Sequence, residues 1–343
     1  MPSRRAVILL FASSPLALVP GWRLLEGGGR KQVPSAPSPR EPWLTVPEVA
    51  KPTPTPTPDP YIHITNVASD GIPPTVTISN QFPYQGGAIL VRATPAQRGV
   101  AHLLGRSFVL APSDEGVEGF VAVDAEDRPG VARIDIDLVE PSGHELRVSH
   151  TVWVQPTEWT VDYIWIPEPG ETPPPEPGTT PTPTPTPPPD EGPLLPQVYA
   201  GVTERKWRPG WAHPLGWEYE VTGRFGEQRS FNGGPVQGHH GGTDFGADFG
   251  TPVLATNDGV VVMSGHYLVR GNLVVIDHGA GVFSLYGHMQ ERAVSVGDWV
   301  TRGQVLGYVG STGLSTGAHL HWELSVGGVL VDGLRWLDGS QGF

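Results

Sequence analysis

Apolar and polar residues alternate along much of this chain with the period of two that half-buried β-strands require. Ala132 to Leu138 is the clearest run, with Ile134, Ile136 and Leu138 on one face and Asp135 and Asp137 on the other. Thr75 to Ser79, Ala88 to Ala93, Ser107 to Leu110 and Phe120 to Val123 are further candidate strands, and Pro141-Ser142-Gly143 turns the chain into another, Leu146 to Val154. Short strands at such regular spacing predict an immunoglobulin-like β-sandwich over 61–166. From 198 to 343 the chain is again β-rich, with glycines at the turns. Leu273 to Asp277, Phe283 to Tyr286 and His319 to Ser325 read as strands, and no helical periodicity lasts beyond a turn or two. The expected fold class is therefore mainly β, built from antiparallel sheets.

Two stretches interrupt this pattern. One, 26–60, ends in alternating Pro and Thr up to Pro58; the other, 167–197, carries the run from Thr180 to Pro189. Alternating proline favours extended polyproline II, so both predict semi-rigid linkers of about 3.1 Å per residue. The first 25 residues place Arg4 and Arg5 before an apolar run from Ala6 to Val19. That is the layout of an export signal or a short membrane anchor, and it makes the N-terminal segment a candidate membrane contact.

Composition narrows the function. A net charge of −13, from 22 basic and 35 acidic residues, excludes the basic stripe of a nucleic-acid binder. With no cysteine, any metal must be held by imidazole, carboxylate or carbonyl. Nothing in the sequence speaks to oligomeric state. Seven of the twelve histidines lie between 239 and 321, which marks that span as a site.

Within it, His240-Gly-Gly-Thr-Asp244 and His319-Leu320-His321 provide two imidazoles and a carboxylate for a zinc ion, leaving a fourth position for water. If the segments are extended, His319 and His321 share a face, as do His240 and Asp244, while His239 faces away. His288, in Tyr286-Gly287-His288-Met289, supplies another imidazole. His239, His266 and His278 read as surface or packing residues, with His266 and Tyr267 as candidate groove lining. Glu323 reads as a supporting residue, and Trp299 and Trp322 as core or groove wall.

These motifs resemble the LytM/lysostaphin-type zinc metallopeptidases of bacterial cell walls, the M23 peptidases. The likeness runs from Phe225-Gly226-Glu227-Gln228-Arg229, through Gly271-Asn272-Leu273 to His278-Gly279, and on through Gly310 to Glu323, ending near Trp336-Leu337. It implies an antiparallel sheet crossed by a metal groove, flanked by loops at 264–272 and 311–318, as the fold of 198–343. It further implies one Zn²⁺ held by His240, Asp244 and His321, with His288 and His319 as the catalytic pair. The activity implied is hydrolysis of peptide cross-links in peptidoglycan, outside the cytoplasm; the rival is a silent or latent scaffold or activator of other wall hydrolases. Ala318 departs from the proline common before the His-x-His pair. Phe231 and Asn232 stand where some members carry a tyrosine. A stretch from Val296 to Gly307 also resembles a biotinyl or lipoyl carrier, but no lysine lies in it to accept the group.

Overall fold

The computed structural model describes residues 63–65, 74–164 and 187–338. The N-terminal segment 1–25, the linker 26–60 and most of the linker 167–197 lie outside the described residues. No helix among the described residues is long and apolar enough to cross a membrane.

Eight strands form the first sheet: β1 (His63–Thr65), β2 (Thr75–Ile78), β3 (Ala88–Thr94), β4 (Arg98–Leu103), β5 (Arg106–Pro112), β6 (Val117–Ala122), β7 (Gly130–Val139) and β8 (Glu145–Val154). Their order is β1-β8-β7-β4-β5-β6-β3-β2, antiparallel throughout. Every strand expected in this region is present. The expectation missed β1 and β4, the latter because Gly99 on its buried face and Val100 on the other blur its alternation. Residues 132, 134, 136 and 138 of β7 are buried while Arg133 is exposed, as period two demands. β5 changes partner along its length, pairing with β4 up to Leu110 and with β6 at Ala111 and Pro112.

β9 (Val161–Ile164) leaves this region and pairs in parallel with β11 (Gln228–Phe231), which itself pairs with β12 (Val236–His239). The largest sheet runs β10 (Glu220–Gly223), β13 (Thr243–Gly246), β20 (His319–Val326), β17 (Val282–Arg292), β16 (Gly271–Gly279), β15 (Gly259–Tyr267) and β18 (Trp299–Val300). β14 (Pro252–Leu254), β19 (Val305–Val309) and β21 (Val329–Val331) branch from it. Two short helices, α1 (Leu195–Tyr199) and α2 (Leu334–Leu337), complete the described elements.

Both faces of the large sheet are covered, so its central strands read as nearly continuous burial instead of alternation. Leu273, Val275, Phe283 and Leu285 meet Leu195 and Tyr199 of α1 on one face. Val274, Ile276, Val282, Tyr286 and Trp322 point to the other, into a cluster continuous with the core of the first sheet. At that junction the Phe120 ring lies 5.0 Å from Trp207 and 4.5 Å from Trp336, and Arg205 pairs with Glu118. Trp322 is core, 1% exposed; Trp299, expected as core or groove wall, is instead 54% exposed on the short edge strand β18.

His278 is a core residue, as its sequence reading held. Its Nδ1–H donates to the Asp258 carbonyl (2.7 Å) and its Nε2 accepts from the Ser284 hydroxyl (2.7 Å). Burial pushes its pKa from 6.5 down to about 4.

Two outcomes are expected. Phe120→Ala should cost about 3–5 kcal/mol by opening a cavity at the junction, read by urea denaturation. In the His278 case the unfolded chain binds a proton between pH 6.5 and 4 that the folded chain does not. The stability present above pH 6.5 is therefore lost as pH falls, by about 3 kcal/mol at pH 4. His278→Asn should flatten that acid limb relative to the parent in denaturation curves at pH 7.5 and 4.5.

Candidate functional site

β13 and β20 are antiparallel neighbours whose register sets Asp244 opposite His321 and Gly246 opposite His319. Pairing and pleat together bring the carboxylate and both imidazoles to one face. His240 enters from the turn after β12, where its N–H donates to the Glu227 carbonyl (2.7 Å) and its own carbonyl accepts from Gly226 N–H (2.8 Å). Glycine at 242 is required by close approach, since a Cβ there would run into the Trp322 carbonyl.

The three predicted ligands converge. His240 Nε2 lies 3.1 Å from His321 Nδ1 and 3.2 Å from Asp244 Oδ1, and His321 Nδ1 lies 2.7 Å from that same oxygen. The far nitrogens define the tautomers. His240 Nδ1–H donates to the Arg224 carbonyl (2.9 Å) and His321 Nε2–H to Glu323 Oε1 (2.8 Å). Each therefore turns a lone pair towards the other, an arrangement that needs a shared proton or a cation between them. Four-coordinate zinc with bonds of about 2.0–2.1 Å has ligand–ligand edges of about 3.3 Å, close to this triangle. A nitrogen–nitrogen–oxygen donor set with its outer hydrogen bonds in place fits a divalent transition metal.

The other two histidines present their nitrogens in the same way. His288 Nδ1–H donates to the Thr312 carbonyl (2.8 Å), and His319 Nδ1–H to the Gly317 carbonyl (2.9 Å). Both Nε2 atoms are left for the cleft; that of His319 is 3.9 Å from Asp244 Oδ1. The His288 and His319 rings are 4.7 Å apart. β17 carries one extra residue against β16 between Tyr286 and Met289, a bulge, and His288 within it takes a φ of +60°. A left-handed non-glycine residue is strained, and here the strain aims an imidazole.

Burial opposes charge throughout this site, and the local partners decide which groups resist it. At Asp244 hydrogen bonds and charge from His240 and His321 outweigh burial and hold the carboxyl well below its usual range. His240 is lowered by burial. At His321 burial is overcome by Asp244 and Glu323, which raise it. His288 is pushed down to about 3, by burial first and then by the neighbouring imidazoles, so it is neutral at neutral pH.

Behind the donors lies a network that the sequence showed only in part. Glu323, 1% exposed, accepts from His321, from Arg270 Nε (2.8 Å) and from the Tyr199 hydroxyl (3.1 Å). Charge from Arg270 leads the effects that hold its carboxyl far down against burial. Glu191, fully buried, accepts from the backbone N–H of Arg270 (2.7 Å) and Val269 (3.2 Å). The Arg270 carbonyl in turn accepts from His288 N–H (2.7 Å). Glu191, Tyr199 and Arg270 carry no local motif; only the fold brings them together.

The donors open on a cleft of about 540 Å³ flanked by 314–318, as expected, and by Val269 and Arg270. The other expected flank, 264–272, is mostly strand, with only its turn reaching the cleft. His266 and Tyr267 are not among the lining residues; His266 bonds Asn272 (3.1 Å). His239 faces Glu126 at 3.5 Å, although it too borders the cleft. A larger cavity, about 930 Å³, adjoins the first sheet and holds none of the predicted site residues.

Residues 238–333, which hold the four site histidines and Asp244, match the family model of peptidase family M23. This part of the chain belongs to that family. Similar proteins include the peptidoglycan DD-endopeptidase ShyA of Vibrio cholerae, 38% identical over 123 residues, covering 36% of this chain and 29% of that protein. The DD-carboxypeptidase/endopeptidase Mpg of Neisseria meningitidis is 46% identical over 93 residues, covering 27% of this chain and 21% of that protein. The chain thus spans under a third of the length of these relatives. Among solved structures, the lysostaphin catalytic domain of Staphylococcus simulans aligns at 29% identity and a TM-score of 0.29, covering 41% of this chain and 96% of that one.

Glu191→Ala should destabilise the protein by about 3–5 kcal/mol, because Arg270 and two N–H groups lose their buried acceptor. Glu191→Gln, which keeps an oxygen, should cost less. Urea denaturation at neutral pH checks the ranking.

Proposed function

We propose that the C-terminal domain is a zinc-dependent endopeptidase that hydrolyses peptide cross-links of bacterial peptidoglycan, with one Zn²⁺ per domain. The observation that carries this reading is the convergence of two imidazole nitrogens and a carboxylate oxygen beside two further imidazoles that offer bare nitrogens to the same cleft. The names of the relatives supply the substrate class, and D-alanine–diaminopimelate linkages are the favoured bond.

His240 Nε2, Asp244 Oδ1 and His321 Nδ1 would hold the metal, which when bound would supply Lewis acidity for the scissile carbonyl and lower the pKa of water from 15.7 to about 7. His288 and His319 divide the remaining work: one accepts the water's proton at Nε2, and the other, protonated on both nitrogens, donates its Nε2–H to the developing oxyanion. Burial keeps His288 neutral, so its Nε2 presents a lone pair to the cleft. Thr312 and Gly317 hold the two rings by their Nδ1–H groups, so neither has to reorient during reaction. Water adds to the carbonyl carbon, the C–N bond breaks, and the proton passes to the departing amine.

Around this domain we read residues 61–166 as an immunoglobulin-like sandwich, supported by the strand that changes partner between two groups of strands. We read 26–60 and 167–197 as spacers and 1–25 as an export signal or membrane anchor, which together place the domain at the wall outside the cytoplasm.

The test uses the full chain on purified peptidoglycan, with and without a zinc chelator, and reads products by mass spectrometry. Chelator-sensitive cleavage of peptide bonds is expected. Asp244→Ala and His321→Ala should lose both zinc and activity. His288→Ala and His319→Ala should keep zinc and lose activity by about 10²–10⁴-fold. Undiminished activity in both would overturn the proposed roles.

A further inference from the structure

We propose that Arg229 binds a free carboxylate of the substrate, so that the cleft selects cross-links bearing a carboxylate beside the scissile amide. This rests on the hydrolase reading above and adds a substrate determinant to it. Along β11 the pleat alternates: Glu227, Arg229 and Phe231 line the cleft, while Ser230 is buried and does not. β9 lies beside it in parallel, setting Asp162 opposite Arg229 and Ile164 opposite Phe231, and both of these residues line the cleft too. One wall of the cleft is therefore half built by a strand that arrives from the first β-rich region.

On that wall Arg229 has an unmet need. Its Nε is buried without a hydrogen-bond partner, and its guanidinium makes no ion pair among the described residues, its register neighbour Asp162 included. It lines the same cleft as His240, Asp244 and His321, and its positive charge acts on His240. The other cleft arginine, Arg270, is committed to Glu323 and Glu191. Glu227 accepts weakly from Thr160 (3.4 Å), and together with Asp162 it leaves the wall slightly acidic. Long-range attraction does not bring an anion to this wall, so recognition has to come from direct contact. A buried donor without an acceptor is costly, and a guanidinium fork matches the two oxygens of a carboxylate. When the amide nitrogen of a cross-link comes from the side-chain end of a diamino dicarboxylic acid, a carboxylate is left on the adjacent carbon. That places the charge about two bonds from the atom that leaves, within the cleft that Arg229 lines.

The experiment compares two cross-linked peptides joining D-alanine to diaminopimelate, one with the carboxylate next to the amide free and one with it amidated. Full-length protein should cleave the free acid with a kcat/KM higher by roughly 10–100-fold, the worth of a charge-assisted hydrogen bond. In Arg229→Ala that ratio should fall to near one, and Arg229→Lys should restore part of it. Binding of both peptides to zinc-loaded His319→Ala, with and without Arg229→Ala, is measured by calorimetry as a readout free of catalysis. Carboxylate-dependent binding without cleavage would sink the hydrolase reading alone. Equal handling of the two peptides, no binding of either, or a preference that survives Arg229→Ala would overturn the assignment of Arg229.

Discussion

The site depends on one buried carboxylate. Glu323 takes the Nε2–H of His321 and so decides which nitrogen of that imidazole faces Asp244. A buried carboxylate is tolerable only when paired and hydrogen-bonded, and Arg270 and Tyr199 meet that condition. The pairing commits Arg270, whose carbonyl bonds the backbone of His288 and whose N–H is held by Glu191. The tautomer of His321 and the seat of His288 are thus set by the same few groups.

The bulge in β17 follows the same logic at the level of backbone. Regular pairing with β16 up to Tyr286 serves the core, where Tyr286 is fully buried and bonded to Thr256. One inserted residue and a left-handed His288 then break the pleat where the cleft begins. Thr312 holds the break together: its hydroxyl bonds the Met289 carbonyl (2.7 Å) and its carbonyl takes His288. Strain at the strand is met by hydrogen bonds from a loop.

Much of this was legible in the sequence because the chemistry sits on strands. Even spacing puts His319 and His321 on a common face of β20, and the geometry brings all five expected residues together, with His240 arriving from the turn after β12 and not from a strand. The strands of the first sheet were legible for the same reason, β7 above all. What stayed hidden depends on contacts between distant segments. Glu191 and Arg270 are 79 residues apart, Tyr199 and Glu323 are 124, and no local pattern announces either pair. β4 was lost to weak alternation, and Trp299 was misjudged because a tryptophan next to an apolar residue on an edge strand reads like core.

The two β-rich regions meet in one core: the face of the large sheet opposite α1 is closed by the aromatic junction of Phe120, Trp207 and Trp336. Period two forces this outcome. Central strands such as β16 and β17 carry apolar residues on both faces, and the face bearing Val274 and Ile276 must be covered by something. Covering it with the first sheet leaves the opposite face, with His321, Glu323 and α1, for the cluster of His240, Asp244 and His321. The same docking brings β9 to the edge of β11 and makes it a wall of the cleft. The first β-rich region is therefore joined to the second through a shared core, and it contributes β9 to the wall of the cleft.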